Sequence, residues 1–254
     1  MMRKSPWFVV QEGFPRAQLR LFCFHYAGGN AGVFRAWRAE LDPRVELVSI
    51  QLPGRGQRFN EPLLHTVDQV VQAVLGEIVP YLDIPYALLG HSVGAMLAYE
   101  VACALQTHCT PAARELIVSG ARAPQIPRRE PPVSCASDAV LIERVRGYRS
   151  MPEETLESPE LMELLLPMLR ADFAVHESYT KPPHEPLHCP VTALGGKDDE
   201  WVTEQDLSAW GGTTRGGFEW HRFEGGHFFI DTSRPAVLGR LNGSLRKWLA
   251  TQEH

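Results

Sequence analysis

YALLGHSVGAMLAYEVACALQ, residues 86–106, contains the pattern G-x-S-x-G at positions 90–94. The short apolar run 86–89 leads into the pattern and predicts a strand, and residues 95–106 beyond it predict a helix. A serine at a tight turn between a strand and a helix is typical of a nucleophile elbow, which exposes the hydroxyl above the edge of a sheet. The three fixed letters alone are a weak signal. The prediction that Ser92 is a nucleophile therefore depends on the strand and the helix that flank it.

The two glycines of the pattern have a steric explanation. A tight turn from strand to helix crowds the backbone around Ser92, so the residues two before it and two after it must lack bulky side chains. Gly90 and Gly94 meet this demand. The same turn points the unpaired N–H groups of the helix N-terminus at negative charge that develops during a reaction.

Strand-like and helical runs alternate through most of the chain. This alternation predicts an α/β fold, the α/β-hydrolase fold, with a mostly parallel central sheet and helices on both faces. The predicted strands are 19–24, 45–50, 86–89, 116–119, 191–194 and 218–223, and the predicted helices are 67–82, 95–106 and 236–249.

The alternation stops between residues 123 and 189, where helices are predicted at 138–148 and 158–179 without a strand between them. We interpret 123–189 as a helical lid inserted into a core formed by 1–122 and 190–254. The second lid helix should begin at Ser158 as N-cap and Pro159, and Pro167 should kink it. Its apolar stripe would either pack permanently on the core or line an acyl pocket. The stripe residues predicted to bind substrate are Leu165, Met168, Leu169 and Phe173.

A serine nucleophile needs a base and an acid that orients the base, and in this fold the chain order is serine, acid, histidine. Asp198 and Asp199 follow a predicted strand and a glycine turn, and spacing alone does not separate them. His227 follows two glycines after the last strand and is the predicted base. His221 is the rival, but it lies within an alternating strand.

The loop after the first predicted strand, 24–30, has the sequence FHYAGGN. A glycine-rich loop at this point can bring backbone N–H groups close to a substrate oxygen. The predicted oxyanion donors are the main-chain N–H groups of Val93 and of a residue near Ala27.

Composition narrows the classes of function and location. The chain has 254 residues and a net charge of −5, which argues against a nucleic-acid partner. Residues 1–12 are a poor signal peptide, and no later run reaches the roughly 20 apolar residues of a membrane span, so no membrane association is expected. Five scattered cysteines without a C-x-x-C pattern favour a reduced, cytoplasmic protein. They are Cys23 and Cys103, which are predicted to be buried, and Cys109, Cys135 and Cys189.

Five blocks of the sequence resemble, in order, the type II (external, editing) thioesterases of polyketide and nonribosomal peptide synthases. The resemblance spans nearly the whole chain, with weaker matches at 118–124 and 169–179. One departure is His25, where proline is commoner in the family. The five blocks are FCFHYAGG at 22–29, QLPGRGQR at 51–58, LGHSVGAMLAYE at 89–100, LGGKDD at 194–199 and FEGGHFFI at 223–230.

The resemblance implies hydrolysis of unproductive acyl groups from the phosphopantetheine arm of acyl or peptidyl carrier proteins, with acyl-CoA as a possible further substrate. It implies Ser92 as nucleophile, Asp198 as acid and His227 as base, with the N–H groups of Ala27 and Val93 as oxyanion donors. An acyl-serine intermediate is expected, and no metal or other cofactor is required.

The sequence is also compatible with other functions. A medium-chain acyl-ACP or acyl-CoA thioesterase, or a carboxylesterase, fits the same fold, as does an inactive carrier-binding scaffold. The H-E-x-x-H pattern at 184–188 resembles a zinc site, but prolines at 182, 183, 186 and 190 argue against the helix that such a site needs. Arginines at 122, 128, 129, 144, 146 and 149 form either a solvated face or a docking patch for an acidic carrier protein.

Overall fold

The computed structural model describes residues 5–11, 17–108, 111–180 and 184–249. Cys23 and Cys103 are buried, as predicted, and Cys109 lies outside the described residues. Residues 1–4 and 12 of the N-terminal segment, and Pro182 and Pro183 beside the H-E-x-x-H pattern, lie outside them as well.

One seven-stranded sheet forms the centre of the molecule, in the order β1-β3-β2-β4-β5-β6-β7. All neighbouring strands are parallel except β1, which runs antiparallel to β3 with Phe8 opposite Ile50. The six predicted strands are confirmed. The short edge strand β1 was not predicted, because three residues are too few to show a period. The strands are β1 (Phe8–Val10), β2 (Leu19–Phe24), β3 (Val45–Ile50), β4 (Tyr86–His91), β5 (Leu116–Ser119), β6 (Val191–Gly196) and β7 (Phe218–Phe223).

Both faces of the sheet are covered, as predicted. Alternate residues of β2 illustrate this, since Phe22 and Phe24 pack into the cluster under helices α1 (Val67–Ile78) and α2 (Val93–Thr107). Leu21 and Cys23 pack on the other face, with helix α8 (Arg234–Leu249) and the 3-10 helix Ala31–Ala39. A strand buried on both sides is mostly apolar, which is why β2 and β4 show no alternation in sequence; Arg20 and His91 are their buried polar residues. None of the helices in the described ranges is long and apolar enough to cross a membrane.

The segment between β5 and β6 is helical, as predicted. It contains α3 (Asp138–Tyr148), α4 (Glu153–Leu156) and α5 (Pro159–Glu177). The Ser158 hydroxyl accepts a hydrogen bond from the N–H of Leu161 at 3.4 Å, so Ser158 caps α5 and Pro159 is its first residue. Pro167 lies inside α5. The three helices share an apolar cluster of their own, which includes Leu141, Val145, Leu169 and Phe173.

Two short helices complete the chain near the sheet's carboxyl edge. Helix α6 (Glu204–Ser208) follows β6, and helix α7 (Phe229–Thr232) lies between β7 and α8. The carboxyl ends of parallel strands meet at one edge of a sheet, where open α/β sheets bind ligands. The loops after β2, β4, β6 and β7 therefore converge there.

Candidate active site

Ser92 lies at the turn between β4 and α2, with a backbone φ of 57° and ψ of −124°. A positive φ is rare for a residue with a side chain, and it marks a strained turn. A Cβ at Gly90 would lie 2.0 Å from the carbonyl oxygen of Gly94, and one at Gly94 would lie 2.3 Å from the carbonyl oxygen of Phe24. The predicted crowding around Ser92 is confirmed, because only glycine fits at either position.

A continuous chain of hydrogen bonds links three side chains from distant parts of the sequence. Ser92 Oγ lies 3.1 Å from His227 Nε2, and His227 Nδ1 lies 2.8 Å from Asp199 Oδ2. A carboxylate can only accept, so Nδ1 carries the proton and Nε2 is free to accept the proton of the serine hydroxyl. This is the geometry of a nucleophile, a base and an orienting acid.

The position of the acid corrects one prediction, because Asp199 and not Asp198 contacts His227. After β6 ends at Gly196, the turn leaves Asp198 exposed and directs Asp199 inward, where its side chain is completely buried. The second carboxylate oxygen of Asp199 accepts hydrogen bonds from the N–H groups of Trp201, at 2.9 Å, and Val202, at 3.3 Å. These bonds fix the carboxylate before any substrate binds.

His227 lies in the loop between β7 and α7. The preceding Gly225 has a φ of 105°, a conformation that favours glycine. The backbone of this loop packs closely on the end of β6, since a Cβ at Gly196 would lie 2.3 Å from the carbonyl oxygen of Gly226. His221 is on β7, 3.6 Å from Glu219, and takes no part in the hydrogen-bonded chain.

Aromatic rings surround the imidazole of His227. Tyr148, the last residue of α3, lies 5.0 Å from His227 and 4.5 Å from Trp201 between ring centroids. Burial raises the pKa of Tyr148 to about 12, so its phenol is neutral at physiological pH. His91, whose ring lies 5.2 Å from His227, is also neutral because burial holds its pKa well below 6.5. Both neighbouring side chains are therefore uncharged at physiological pH.

Tyr148 and Trp201 were not predicted. The signal available for Trp201 is its position two residues after the acid, in the sequence DDEWV. The contact of Tyr148 with His227 could not be predicted, because nothing in the sequence shows that the end of α3 lies over the loop after β7.

The two predicted oxyanion donors lie beside the serine. Val93 is the first residue of α2, and Ala27 follows β2; both line the same cavity as Ser92. In the part of the chain that the structure describes, neither N–H donates to a protein acceptor. Both N–H groups are therefore available to a substrate oxygen.

The cavity above Ser92 has a volume of about 670 Å³. Of the four predicted substrate-binding residues, Leu169 and Phe173 lie on its wall, whereas Leu165 and Met168 do not. Leu165 lies one helical turn before Leu169 and packs in the apolar cluster of the insertion. Met168 points about 100° away from Leu169 around the helix axis. Further apolar wall residues are Met96, Ala123, Ile126, Val145 and Val202.

Three of the six arginines predicted to form a patch are paired with carboxylates. Arg122 pairs with Glu130, Arg129 with Asp206, and Arg146 with both Glu143 and Glu153. Among the described residues, Arg128, Arg144 and Arg149 have no carboxylate within salt-bridge distance; Arg128 and Arg149 are exposed, whereas Arg144 lies 5.6 Å from the centroid of the Trp201 ring. Arg128 also lines the cavity. The unpaired positive charge is therefore smaller than the sequence suggests.

His184 and His188 of the H-E-x-x-H pattern lie in irregular backbone. His184 Nε2 is 2.6 Å from Glu100 Oε2, and Tyr179 donates its hydroxyl to the other oxygen of Glu100 at 2.6 Å. The histidine therefore joins the end of the insertion to helix α2.

The chain is similar to known thioesterases. Residues 19–245 match the family model described as thioesterase domain. Gramicidin S biosynthesis protein GrsT of Aneurinibacillus migulanus is 41% identical over 246 residues, which cover 97% of this chain and 96% of that protein. The structure of BorB, a type II thioesterase from the borrelidin biosynthetic cluster, has a TM-score of 0.87 at 32% identity and covers 96% of this chain and 99% of its own. The structure of RedJ, a thioesterase of the prodiginine pathway in Streptomyces coelicolor, has a TM-score of 0.85 at 37% identity. The match covers 91% of this chain and 87% of RedJ. The predicted α/β-hydrolase fold is therefore confirmed.

Proposed function

The chain belongs to the thioesterase domain family and is an acyl-thioester hydrolase, and we propose that it is an editing, type II enzyme of a polyketide or nonribosomal peptide synthase. Its substrate would be an unproductive acyl group on the phosphopantetheine arm of an acyl or peptidyl carrier protein. The observation that carries this proposal is the hydrogen-bonded chain Ser92–His227–Asp199 at the floor of the cavity. The similarity of the chain to GrsT and BorB supports a role beside a polyketide or nonribosomal peptide synthase.

The proposed reaction has two halves. His227 Nε2 takes the proton of Ser92 Oγ as the oxygen attacks the thioester carbonyl. The carbon–sulfur bond then breaks, the thiol of the pantetheine arm leaves with the proton from His227, and the acyl group remains on Ser92. In the second half, His227 deprotonates a water molecule that attacks the acyl-serine. The ester bond to Ser92 Oγ then breaks, His227 returns its proton to Oγ, and the carboxylic acid is released.

Asp199 and the backbone would supply the electrostatic help. The buried carboxylate of Asp199 holds the His227 tautomer and stabilises the imidazolium that forms in each half. The N–H groups of Ala27 and Val93 would bind the negative charge of the tetrahedral intermediate. The proposed chemistry uses these groups alone, and the phosphopantetheine arrives as part of the substrate.

The cavity supports an acyl substrate. A volume of about 670 Å³ lies within the range of small-molecule sites, and its wall near Ser92 includes Leu169, Phe173 and Met96. These side chains would bury an acyl chain from water. The exposed Arg128 and Arg149 would attract an acidic carrier protein to the same side.

Rates on three classes of substrate test the proposal. One acyl group should be loaded on a polyketide carrier protein, on a peptidyl carrier protein and on CoA, and offered as a plain ester. We expect the carrier-bound thioesters to be hydrolysed with the highest kcat/KM, and Ser92→Ala to abolish hydrolysis. Preference for acyl-CoA would favour a medium-chain thioesterase, and preference for the plain ester a carboxylesterase; either result would refute the editing role.

Charge reversal tests the approach of the carrier protein. Arg128→Glu with Arg149→Glu should lower kcat/KM on the carrier-bound substrate and weaken its salt dependence, and should lower kcat/KM much less on an uncharged N-acetylcysteamine thioester of the same acyl group. Arg215→Glu is the control, since Arg215 precedes β7 at the opposite edge of the sheet and is equally exposed to solvent. If both variants change the carrier kinetics equally, the two arginines do not form a docking site.

A further inference from the structure

A buried ion pair joins the insertion to the loop after β3. Arg55 Nη1 and Nη2 each donate to one oxygen of Asp172, both at 2.7 Å. The two side chains are only 5% and 4% exposed. Arg55 follows β3 within the block QLPGR, and Asp172 lies near the middle of α5, so 117 residues separate them. A bidentate pair of this kind is geometrically specific as well as strong.

The same two side chains hold the loop after β2 from both sides. Asp172 Oδ2 accepts a hydrogen bond from the N–H of Gly28 at 2.7 Å, and Arg55 Nη1 donates to the carbonyl oxygen of Gly29 at 3.1 Å. Gly28 has a φ of 78°, and a Cβ there would lie 2.9 Å from Leu169 of α5. The loop is therefore fixed at the peptide group that directly follows Ala27 and again at the peptide between Gly29 and Asn30.

Ala27 is where this restraint matters. Its N–H is one of the two proposed oxyanion donors, and its side chain packs between the cluster under α1 and α2 and the cluster of the insertion. A donor contributes to catalysis only if it lies within a few tenths of an ångström of the developing oxyanion. A buried charge pair is a costly way to hold a surface loop unless its geometry is needed.

We propose that Arg55 and Asp172 are positioning residues that hold the Ala27 N–H in the oxyanion site, so that helix α5 of the insertion takes part in catalysis. This inference rests on the proposed serine mechanism and adds a residue of the insertion to it.

Asp172→Asn tests the inference because it keeps the volume and removes the charge. We expect kcat on an acyl-thioester to fall about 10- to 100-fold with KM nearly unchanged, as for a misplaced oxyanion donor. The affinity for an alkyl boronic acid, which forms a tetrahedral anion on Ser92, should fall by the same factor. The affinity for a non-hydrolysable thioether of the same chain should not change.

Glu46→Gln is the matched control. Glu46 pairs with the buried Arg20 at the opposite end of the sheet, where no substrate group lies. This variant should lose no more stability than Asp172→Asn, because Arg20 keeps its pair with Asp83, and it should keep both kcat and boronate affinity. If Asp172→Asn behaves in the same way, the Arg55–Asp172 pair is only structural and the inference is wrong.

Arg55→Lys provides a second variant should Asp172→Asn fail to fold. A lysine keeps the positive charge but cannot bind both carboxylate oxygens and Gly29 together. The same parallel loss of kcat and boronate affinity is expected, and unchanged values would overturn the inference. Failure of the proposed function would look different, because the wild-type protein itself would then neither hydrolyse thioesters nor bind the boronic acid through Ser92.

Discussion

The ring of Tyr148 lies 5.0 Å from the imidazole of His227, with an angle of 46° between the two planes. Tyr148 ends helix α3 of the insertion, whereas His227 belongs to the loop after β7. The insertion therefore does more than cover the acyl cavity, because it also supplies one wall around the proposed base. Trp201, two residues after Asp199, extends this wall, because its ring packs on the ring of Tyr148.

Removal of the Tyr148 ring should weaken the hold on His227. We expect Tyr148→Ala to lower kcat/KM about 2- to 10-fold, which corresponds to the usual free energy of one or two aromatic contacts. Tyr148→Phe keeps the ring and should retain most of the activity. Steady-state kinetics on one acyl-thioester would decide the matter, and equal losses in both variants would show that the hydroxyl matters and not the ring.

Asparagine variants of the two neighbouring aspartates should differ greatly. Asp199→Asn should lower kcat by about 10⁴-fold, because an amide no longer holds the His227 tautomer that accepts the serine proton. Asp198→Asn should stay within about twofold of wild type, as expected for a surface substitution. Single-turnover hydrolysis measures both variants, and the opposite order would mean that the acid has been wrongly assigned.

Gly94 should tolerate no side chain. In Gly94→Ala, the new Cβ would lie 2.3 Å and 2.6 Å from the backbone oxygens of Phe24 and His25, which cannot move without moving β2. We expect a loss of about 2–3 kcal/mol in the free energy of unfolding. Gly76→Ala on α1 is the control, since a Cβ there meets nothing within 4 Å. It should stabilise the protein by about 0.5–1 kcal/mol in urea denaturation, and a loss there like that of Gly94→Ala would refute the steric argument.

His25 should make the protein sensitive to acid. Burial, and then the nearby Arg55, lower the pKa of His25 from 6.5 to about 4 in the folded state. Since the unfolded chain binds this proton more readily, the stabilisation is complete above pH 6.5 and is lost as the pH falls toward 4. The expected loss is up to about 3 kcal/mol, since one pKa unit corresponds to about 1.4 kcal/mol.

The variant His25→Asn removes this titration. Its amide can replace ring Nδ1, which donates to the carbonyl oxygen of Tyr26 at 2.8 Å. The free energy of unfolding, measured in urea at several pH values, should therefore fall less steeply for the variant than for the wild type. Identical pH dependences would show that other groups cause the acid sensitivity.

Local patterns were enough to predict most of the secondary structure. The predicted start of α5 at Ser158 and Pro159 was correct because capping depends on neighbouring residues only. Helix α1 was predicted to end at residue 82, but it ends four residues earlier, at Ile78. Pro80 has no N–H to donate, so the α-helix gives way to the 3-10 helix Val79–Tyr81.

The candidate site was predictable only in part. Gly90, Ser92 and Gly94 predicted the elbow together with the flanking strand and helix, because the turn and the contact between Gly90 and Gly94 are local. The crowding at Gly94 also comes from the distant backbone of Phe24 and His25. The choice between Asp198 and Asp199 was not local, since both follow β6 and only the path of the turn directs one of them inward. Prediction was limited in the same way for helix α5 of the insertion. The spacing of Leu165 and Leu169 predicts that they share a face of α5, but only the packing places Leu169 on the cavity wall.

The sequence by itself determined the α/β order of elements, the serine at the elbow and the histidine after the last strand, because each depends on residues close together in the chain. Only the tertiary structure decided which carboxylate reaches His227, which ring covers it, and that Arg55 and Asp172 hold the loop of Ala27. These contacts join residues up to 144 positions apart, as in the hydrogen bond from Gly28 to Asp172. Their geometry depends on how the loops at the edge of the sheet and the helices of the insertion pack together, and no local pattern encodes that packing.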